Sequence, residues 1–364
     1  MGKKVLFSAS TGAHIRRFHL PYLAALGEMG VRVHVACAQP GAEPLGDRTI
    51  PVPFEKKMFA IGNFRALALL RRELDRENYD AVIVHTSLAA FFTRLAVMTL
   101  PRRPRVVNVV HGYLFDDDSG FLRRKLLLVA EKLAAPVTDL VVTMNRWDEN
   151  CAKKHRLGKA VAFVDGMGVD FSALDGMKTG KPQELRKEMG LKSSDFVLIC
   201  PAEFSRRKSQ AVLLRAMTQL PERVKLVLPG EGAQLERCRK LAAELGIAHR
   251  VIFPGYVPDP GRWYEMADCS VSASRSEGLP FHMMEALFCS LPVVASRVKG
   301  HEDLIREGEN GLLYPYGDHR ACARAIEDVM ADPGRFSSGP NGMDRYSLER
   351  IRPQLMVHYE KLLE

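Results

Sequence analysis

The 364-residue chain predicts an α/β protein built from two doubly wound parallel sheets. Three observations carry that prediction. Short β-rich apolar runs alternate with stretches of helical spacing from end to end, the pattern of strands joined by crossover helices. The length exceeds one ordinary core, so two domains of about 170 residues each are expected. Gly166, Gly168, Gly176 and Gly180 interrupt an otherwise dense pattern and mark the boundary.

Taken in order, strands are expected at residues 5–10, 31–38, 81–85, 106–110, 140–143 and 161–164, each a short apolar run. Residues 15–29 have helical spacing, and further helical patterns separate the later strands, including a basic one at 121–135. The second half repeats the alternation, with strands at 196–200, 225–228, 251–253, 269–273, 292–295 and 311–314. Helices are expected from Ser209, over 234–245 and, after a glycine-rich break at 337–342, over 348–363.

Composition excludes several classes. With 46% hydrophobic and 26% charged residues the chain is ordinary globular material. No apolar stretch approaches the roughly 18 residues that span a bilayer. The apolar run after Lys4 is too short for a signal peptide, and Leu6 breaks the myristoylation pattern. Seven cysteines, an odd number without a CxxC pair, fit buried small hydrophobes in a reducing cytosol. Over residues 1–175, 25 Lys and Arg face 18 Asp and Glu, so most of the net +9 lies in the first half. Without an interleaved aromatic platform, that charge does not point to nucleic acid. It suits an anionic membrane surface or a pyrophosphate-bearing lipid; a solvated basic face is the competing reading.

The run from Ser274 to Leu287 carries the chemistry. Glu277 lies on a Gly-Pro loop after the strand at 269–273, and Glu285 follows eight positions later in a helix that Pro280 opens. Phe281, His282, Met283, Met284, Leu287, Phe288 and Cys289 surround Glu285, so this carboxylate in an apolar helix needs a partner. Vicinal ribose hydroxyls would serve, because a carboxylate accepts two hydrogen bonds at once. An arginine of the chain itself would serve too, with Glu277 left as a solvated loop residue. Arg206, Arg207 and Lys208 precede the helix from Ser209, where cations and helix dipole together favour a diphosphate. Gly230 and Gly232 flank Glu231 at a strand end, where small residues admit a ligand or simply a turn. In the first half, Ser10-Thr11-Gly12-Ala13-His14 joins strand to helix, and His111-Gly112 ends the strand at 106–110. Both lie at carboxyl ends, where open α/β sheets hold ligands.

The Glu277 to Glu285 spacing, followed by Leu291-Pro292-Val293-Val294-Ala295-Ser296 and Glu309-Asn310-Gly311-Leu312-Leu313, resembles the E-x7-E signature of family 4 glycosyltransferases. These are retaining enzymes of the GT-B fold that use nucleotide sugars. Phe18-His19-Leu20-Pro21-Tyr22-Leu23, His111-Gly112 and Lys299-Gly300-His301-Glu302-Asp303-Leu304-Ile305 resemble the bacterial exopolysaccharide and capsule branch. The resemblance covers nearly the whole chain. It implies two Rossmann-like domains facing across a cleft: residues 1–170 binding acceptor, residues 171–345 binding nucleotide sugar, and residues 346–364 packing back on the first domain.

The resemblance also assigns roles. Glu277 would orient the donor sugar, Glu285 hold the ribose, Lys208 with Arg207 or Arg206 hold the diphosphate, and His111 lie against the transferred sugar. Gly12, Glu203, Gly230, Gly232, Gly278, Leu279 and Pro280 complete the donor site, with the base against the backbone of Tyr256 and Val257. His14, His19, Tyr113 and Asp116 form the acceptor side. Two departures stand out: Glu203 occupies the family's phosphate-binding arginine position, and Leu114 that of a second histidine often found in the branch. Asp116-Asp117-Asp118 looks like the metal-binding DxD of a different glycosyltransferase fold; an acceptor-side loop is expected instead, with Ser119 capping the basic helix. No metal and no cofactor beyond the co-substrate are expected.

The expected activity is metal-independent, retaining transfer from a nucleotide-diphosphate sugar, foremost UDP-hexose or UDP-N-acetylhexosamine. The expected acceptor is a polyprenyl-diphosphate-linked saccharide of surface polysaccharide biosynthesis, met by a cytoplasmic enzyme at the inner face of the plasma membrane. The rivals are a nucleotide-sugar 2-epimerase of the same fold and a catalytically silent subunit of a polysaccharide assembly complex.

Overall fold

Buried β-branched runs become strands, and all of them pair in parallel. A computed structural model describes residues 2–336 and 342–364. It divides into two units, Met1–Gly168 with Glu349–Glu364, and Val169–Leu348. In the first, β1 (Lys4–Thr11), β2 (Arg32–Ala38), β3 (Arg48–Pro51), β4 (Ala81–His85), β5 (Arg105–Val110), β6 (Leu140–Thr143) and β7 (Ala160–Phe163) form one sheet. Its order is β3-β2-β1-β4-β5-β6-β7. In the second, β8 (Phe196–Ile199), β9 (Val224–Pro229), β10 (Val251–Gly255), β11 (Cys269–Ser272), β12 (Val293–Ser296) and β13 (Gly311–Tyr314) run in the order β10-β9-β8-β11-β12-β13. Each sheet therefore reverses direction once, at β1/β4 and at β8/β11. This is the doubly wound arrangement of the GT-B fold, and the reversal is where such sheets open a crevice.

Helices cover both faces, which is why the strands are mostly apolar rather than alternating. In β8, Phe196 and Leu198 pack with Leu213, Leu214 and Ile326 on one face, while Val197 and Ile199 pack with Trp263, Tyr264 and Met283 on the other. The Leu348–Leu363 helix returns to the first unit, burying Ile351, Leu355 and Tyr359.

Three local features differ from expectation, and a fourth is not described. The edge strand β3 is not evident in the sequence because only Ile50 of its four residues is buried. Residues 15–29 form two helices, Gly12–Phe18 and Leu20–Glu28, broken at His19. Pro21 lacks an N–H and fits only a first turn, so it starts the second helix instead of continuing the first. Ser119 does not cap the Phe121–Ala134 helix; Gly120 holds that position, and the Ser119 hydroxyl donates to Asp116 at 2.7 Å. The glycine-rich break falls largely on residues 337–341, which lie outside the described residues.

The Phe121–Ala134 helix is oriented against its composition. Its buried residues are Glu131 and Ala134, and Glu131 meets the fully buried Arg94 at 2.8 Å. Phe121, Leu122, Leu126, Val129 and Leu133 are all exposed. Among the described residues, no helix is long and apolar enough to cross a membrane.

Candidate functional site

In the second unit the loops after β8 and β11 meet at the reversal point. Arg207 and Lys208 come from the first loop and Glu277 from the second; β8 and β11 are neighbours, so residues 70 apart in sequence touch. Glu277 Oε2 accepts from the Arg207 guanidinium at 2.5 Å, and the Lys208 ammonium lies 2.6 Å from Oε1. The backbone locks the same junction, since Arg275 N–H donates to Arg207 C=O at 2.8 Å. Glu277 is only 8% exposed, so it is not the solvated loop residue of the competing reading. Burial alone would raise its pKa; Lys208 first, then Arg207, outweigh burial and hold the carboxyl well below the usual range.

Two histidines pack beside this clamp. His282 sits in the first turn of the Phe281–Phe288 helix, and burial, then Lys208, push its pKa well down. His301 is fully buried, bonds Ser296 C=O through Nδ1 at 2.7 Å, and has its pKa lowered to about 4, chiefly by burial. Both are neutral at pH 7. Gly300, at φ +81, lets this loop lie against the Gly278 carbonyl, where a Cβ would collide.

Glu285 is half-buried, and its Oε2 accepts from the Tyr264 hydroxyl at 2.7 Å. Tyr264 is thus one polar partner in a surround that the sequence shows only as apolar. Burial, then Glu285, hold the Tyr264 hydroxyl protonated. A carboxylate accepts two hydrogen bonds at once, the contact that vicinal hydroxyls would use.

The glycines after β9 serve the protein itself. Gly230 and Gly232, at φ +139 and +144, lie so close to Ala202 and Phe204 that a Cβ on either would strike those backbones. Phe204 N–H donates to Glu231 C=O at 2.8 Å and Ala202 N–H to Pro229 C=O at 3.0 Å. The close approach is loop on loop. Glu203 is exposed; its carbonyl accepts from Gln210 Nε2 at 2.9 Å. Tyr256 is exposed and Val257 half-buried after β10. Gly278 and Pro280 are buried, with Leu279 half-buried between them.

In the first unit, Thr11 caps the Gly12–Phe18 helix through His14 N–H at 3.2 Å, and buried Gly12 fits under Gln39 and Pro40. His111, just past β5, bonds through Nε2 to His85 Nδ1 at 3.0 Å. A cavity of about 170 Å3 beside it is lined by Ser87, Asn108, His111, Gly112, Tyr113 and Glu131. The predicted acceptor-side residues divide. His14 and Asp116 are half-buried, whereas His19 and Tyr113 are 0% and 3% exposed, packed inward by the helix break and by the turn after β5. The acidic run is occupied by protein partners: Asp117 meets Arg124 at 2.9 Å and Trp147 Nε1 at 2.6 Å.

His85, Tyr264 and His282 are not singled out by the sequence. A histidine ending β4 beside one following β5 is a usable signal for His85; Tyr264, on a short helix far from Glu285 in sequence, offers none.

Comparison with known proteins identifies the family. Residues 22–160 match Glycosyltransferase Family 4, and residues 182–346 match Glycosyl transferases group 1. EpsD of Bacillus subtilis (strain 168), assigned as a glycosyltransferase, is 33% identical over 338 residues, covering 92% of this chain and 89% of EpsD. The Escherichia coli UDP-Gal:α-D-GlcNAc-diphosphoundecaprenol α-1,3-galactosyltransferase is 25% identical, covering 75% of this chain and 72% of that enzyme. Among solved structures, Anabaena HepE in complex with UDP-glucose is similar in fold, with TM-score 0.78 at 21% identity over 98% of this chain and 99% of HepE.

Proposed function

We propose that this chain, which belongs to the glycosyltransferases of family 4 and group 1, moves a sugar from a nucleotide-diphosphate sugar to an acceptor hydroxyl with retention of configuration. The observation that carries the reading is the clamp at the sheet reversal. Glu277, itself buried and ionised, holds Lys208 and Arg207 at the carboxyl end of β8, ahead of the Gln210–Met217 helix. A leaving diphosphate needs cations aimed at its developing charge, and cations already fixed in place cost little reorganisation when that charge forms. Glu285, a carboxylate eight positions after Glu277 that accepts from Tyr264 at Oε2, is suited in chemistry to the vicinal hydroxyls of a ribose.

In the proposed mechanism Lys208 and Arg207 stabilise the departing diphosphate. The acceptor hydroxyl adds to the anomeric carbon as the bond to the diphosphate breaks, and its proton passes to a diphosphate oxygen. No protein base is needed. Glu277 orients the sugar hydroxyls and His111 packs against the sugar. UDP is the proposed nucleotide, supported by the HepE complex and by the donor named for the Escherichia coli relative.

The proposed acceptor is a polyprenyl-diphosphate-linked saccharide, supported by the diphosphoundecaprenol acceptor of that relative. The Phe121–Ala134 helix supports an anionic membrane as its location. Leu122, Leu126, Val129 and Leu133 recur at helical spacing along an exposed stripe, and Arg123, Arg124 and Lys125 flank its start. An apolar stripe with basic flanks is the make-up of a helix lying in a lipid interface.

UDP release over a panel of nucleotide sugars, with and without undecaprenyl-diphosphate saccharide, tests the reading. Acceptor-dependent release giving a product of unchanged anomeric configuration is expected. Conversion of the sugar to an epimer without acceptor would identify an isomerase, and no turnover of any donor would identify a binding subunit.

A further inference from the structure

Four histidines from four separate segments converge inside the first unit. His14 lies in the first turn of the Gly12–Phe18 helix, His19 at the break after it, His85 at the end of β4 and His111 just past β5. The rings of His14, His19 and His111 have centroids 5.0, 5.1 and 5.3 Å apart. One ring nitrogen from each of the three lies within 4.8 Å of the other two.

The packing leaves nitrogens of His14 and His19 unused. His19 is 0% exposed and neither of its ring nitrogens has a hydrogen-bond partner; His14 Nε2 also lacks one. A buried imidazole with both nitrogens unpaired costs free energy that an apolar side chain of similar size would not. Burial, followed by the positive neighbour Arg17 for His14 and by mutual repulsion for the others, keeps all four neutral, with His14 lowered to about 4. Neutral imidazole is the form that donates a lone pair to a metal.

We propose that His14, His19 and His111 form a three-histidine site for a divalent transition-metal ion of the zinc class, with His85 orienting the His111 ring. Zinc–nitrogen bonds of about 2.0–2.1 Å at tetrahedral angles place ligand nitrogens about 3.3–3.4 Å apart, so from separations within 4.8 Å the rings close by up to about 1.5 Å on loading. An all-nitrogen set selects Zn2+, Co2+, Ni2+ or Cu2+ over Mg2+ and Ca2+, which take oxygen ligands. The 3.0 Å bond from His85 to His111 is the outer contact that fixes a ligand ring. Three ligands leave a coordination position open. His14 and His111 are half-buried and provide the way in.

The ion would tie the helix start, the helix break and the end of β5 together. If His111 also lies against the transferred sugar, loading the site inhibits transfer; that consequence rests on the proposed function, and the binding itself does not.

The test uses the full chain without a histidine tag, stripped with EDTA and titrated with Co2+ and Zn2+. Co2+ is read by its visible ligand-field absorption and Zn2+ by equilibrium dialysis and by the shift in Tm. One ion per chain and a zinc-dependent rise in Tm are expected. His14→Ala and His14→Gln should abolish the rise and weaken binding at least about tenfold, and His85→Phe should weaken it roughly 10–100-fold. His249→Ala, at an exposed position in the other unit, should bind like the wild type. Variants are compared only where circular dichroism and Tm in EDTA match the unsubstituted chain; His14 is half-buried, so its variants are expected to pass. Absence of stoichiometric binding, or undiminished binding by folded His14 variants, overturns the proposal. Stoichiometric binding without inhibition overturns only the placement of His111 beside the sugar.

Discussion

Replacing Lys208 by alanine separates structure from catalysis at the proposed diphosphate clamp. The lysine side chain is 11% exposed and that of Glu277 7%, with 2.6 Å between their charged atoms. Removing one partner of a buried ion pair costs about 3–5 kcal/mol when the other charge is stranded. Here Arg207 remains on Glu277 Oε2, so the loss is that of one charged hydrogen-bond-strength contact, about 1.5–3 kcal/mol. Turnover should fall much further, roughly 10²–10³ in kcat, as when a single donor to a developing anion is deleted. Acid sensitivity gives the sign. The folded pKa of Glu277 is depressed, so its stabilisation is present above the unfolded value of about 4.3 and lost as pH falls through the folded value. Lys208→Ala shrinks that depression, and acid unfolding should begin at higher pH. Urea denaturation across pH, with initial rates of UDP release, measures both effects. The decisive variant is Lys208→Ala combined with Glu277→Gln, which removes a buried carboxylate that has lost one of its two cations and should recover part of the stability without recovering turnover. Full activity in Lys208→Ala, or restored turnover in the double variant, would make Lys208 only a structural partner and refute the reasoning.

Three further outcomes are expected. Glu285→Gln keeps the contour of the site but removes a charged acceptor; calorimetry should show UDP affinity weakened by about 1.5–3 kcal/mol, and unchanged binding by a folded variant would remove the ribose assignment. EDTA should leave the initial rate intact or raise it, because Lys208 and Arg207 supply the charge; a rate lost to EDTA and restored by Mg2+ would contradict a metal-independent transfer. Sedimentation with phosphatidylglycerol vesicles should fall at high salt, and fall again when Arg123, Arg124 and Lys125 become glutamate, each cation contributing about 1 kcal/mol. Leu122→Asp should reduce it at any salt, and equal sedimentation of all variants would dissociate the helix from the membrane.

Strands buried on both faces are plain in the sequence because little polar interrupts them: Val5 to Phe7 and Ala81 to Val84 are such runs. β3 is hidden because an edge strand with one buried residue has no such run. The break at His19 is a different case, since Pro21 signals it and apolar periodicity across residues 15–29 conceals it. Local spacing cannot rank a proline against a continuing apolar stripe. Tertiary packing does, by burying His19 among three other imidazoles.

At the candidate site, residue types are visible in the sequence and their partners are not. Glu277 reads as a loop carboxylate because its partners lie 69 and 70 positions away, brought in by a strand order that places β11 beside β8. Glu285 calls for a partner on chemical grounds, yet Tyr264 reaches it from a six-residue helix without a recognisable pattern. The Phe121–Ala134 helix shows the same limit in another form. Its periodicity reveals an apolar stripe, and the usual inference turns that stripe inward. One charge pair reverses it: Glu131 is drawn in to Arg94, a fully buried cation that also donates to Ala90 C=O and Thr138 Oγ1. Leaving Arg94 without that carboxylate would strand a buried charge, at a cost of about 3–5 kcal/mol. The ion pair holds Glu131 inward, and Leu122, Leu126, Val129 and Leu133 face outward, available to a lipid interface.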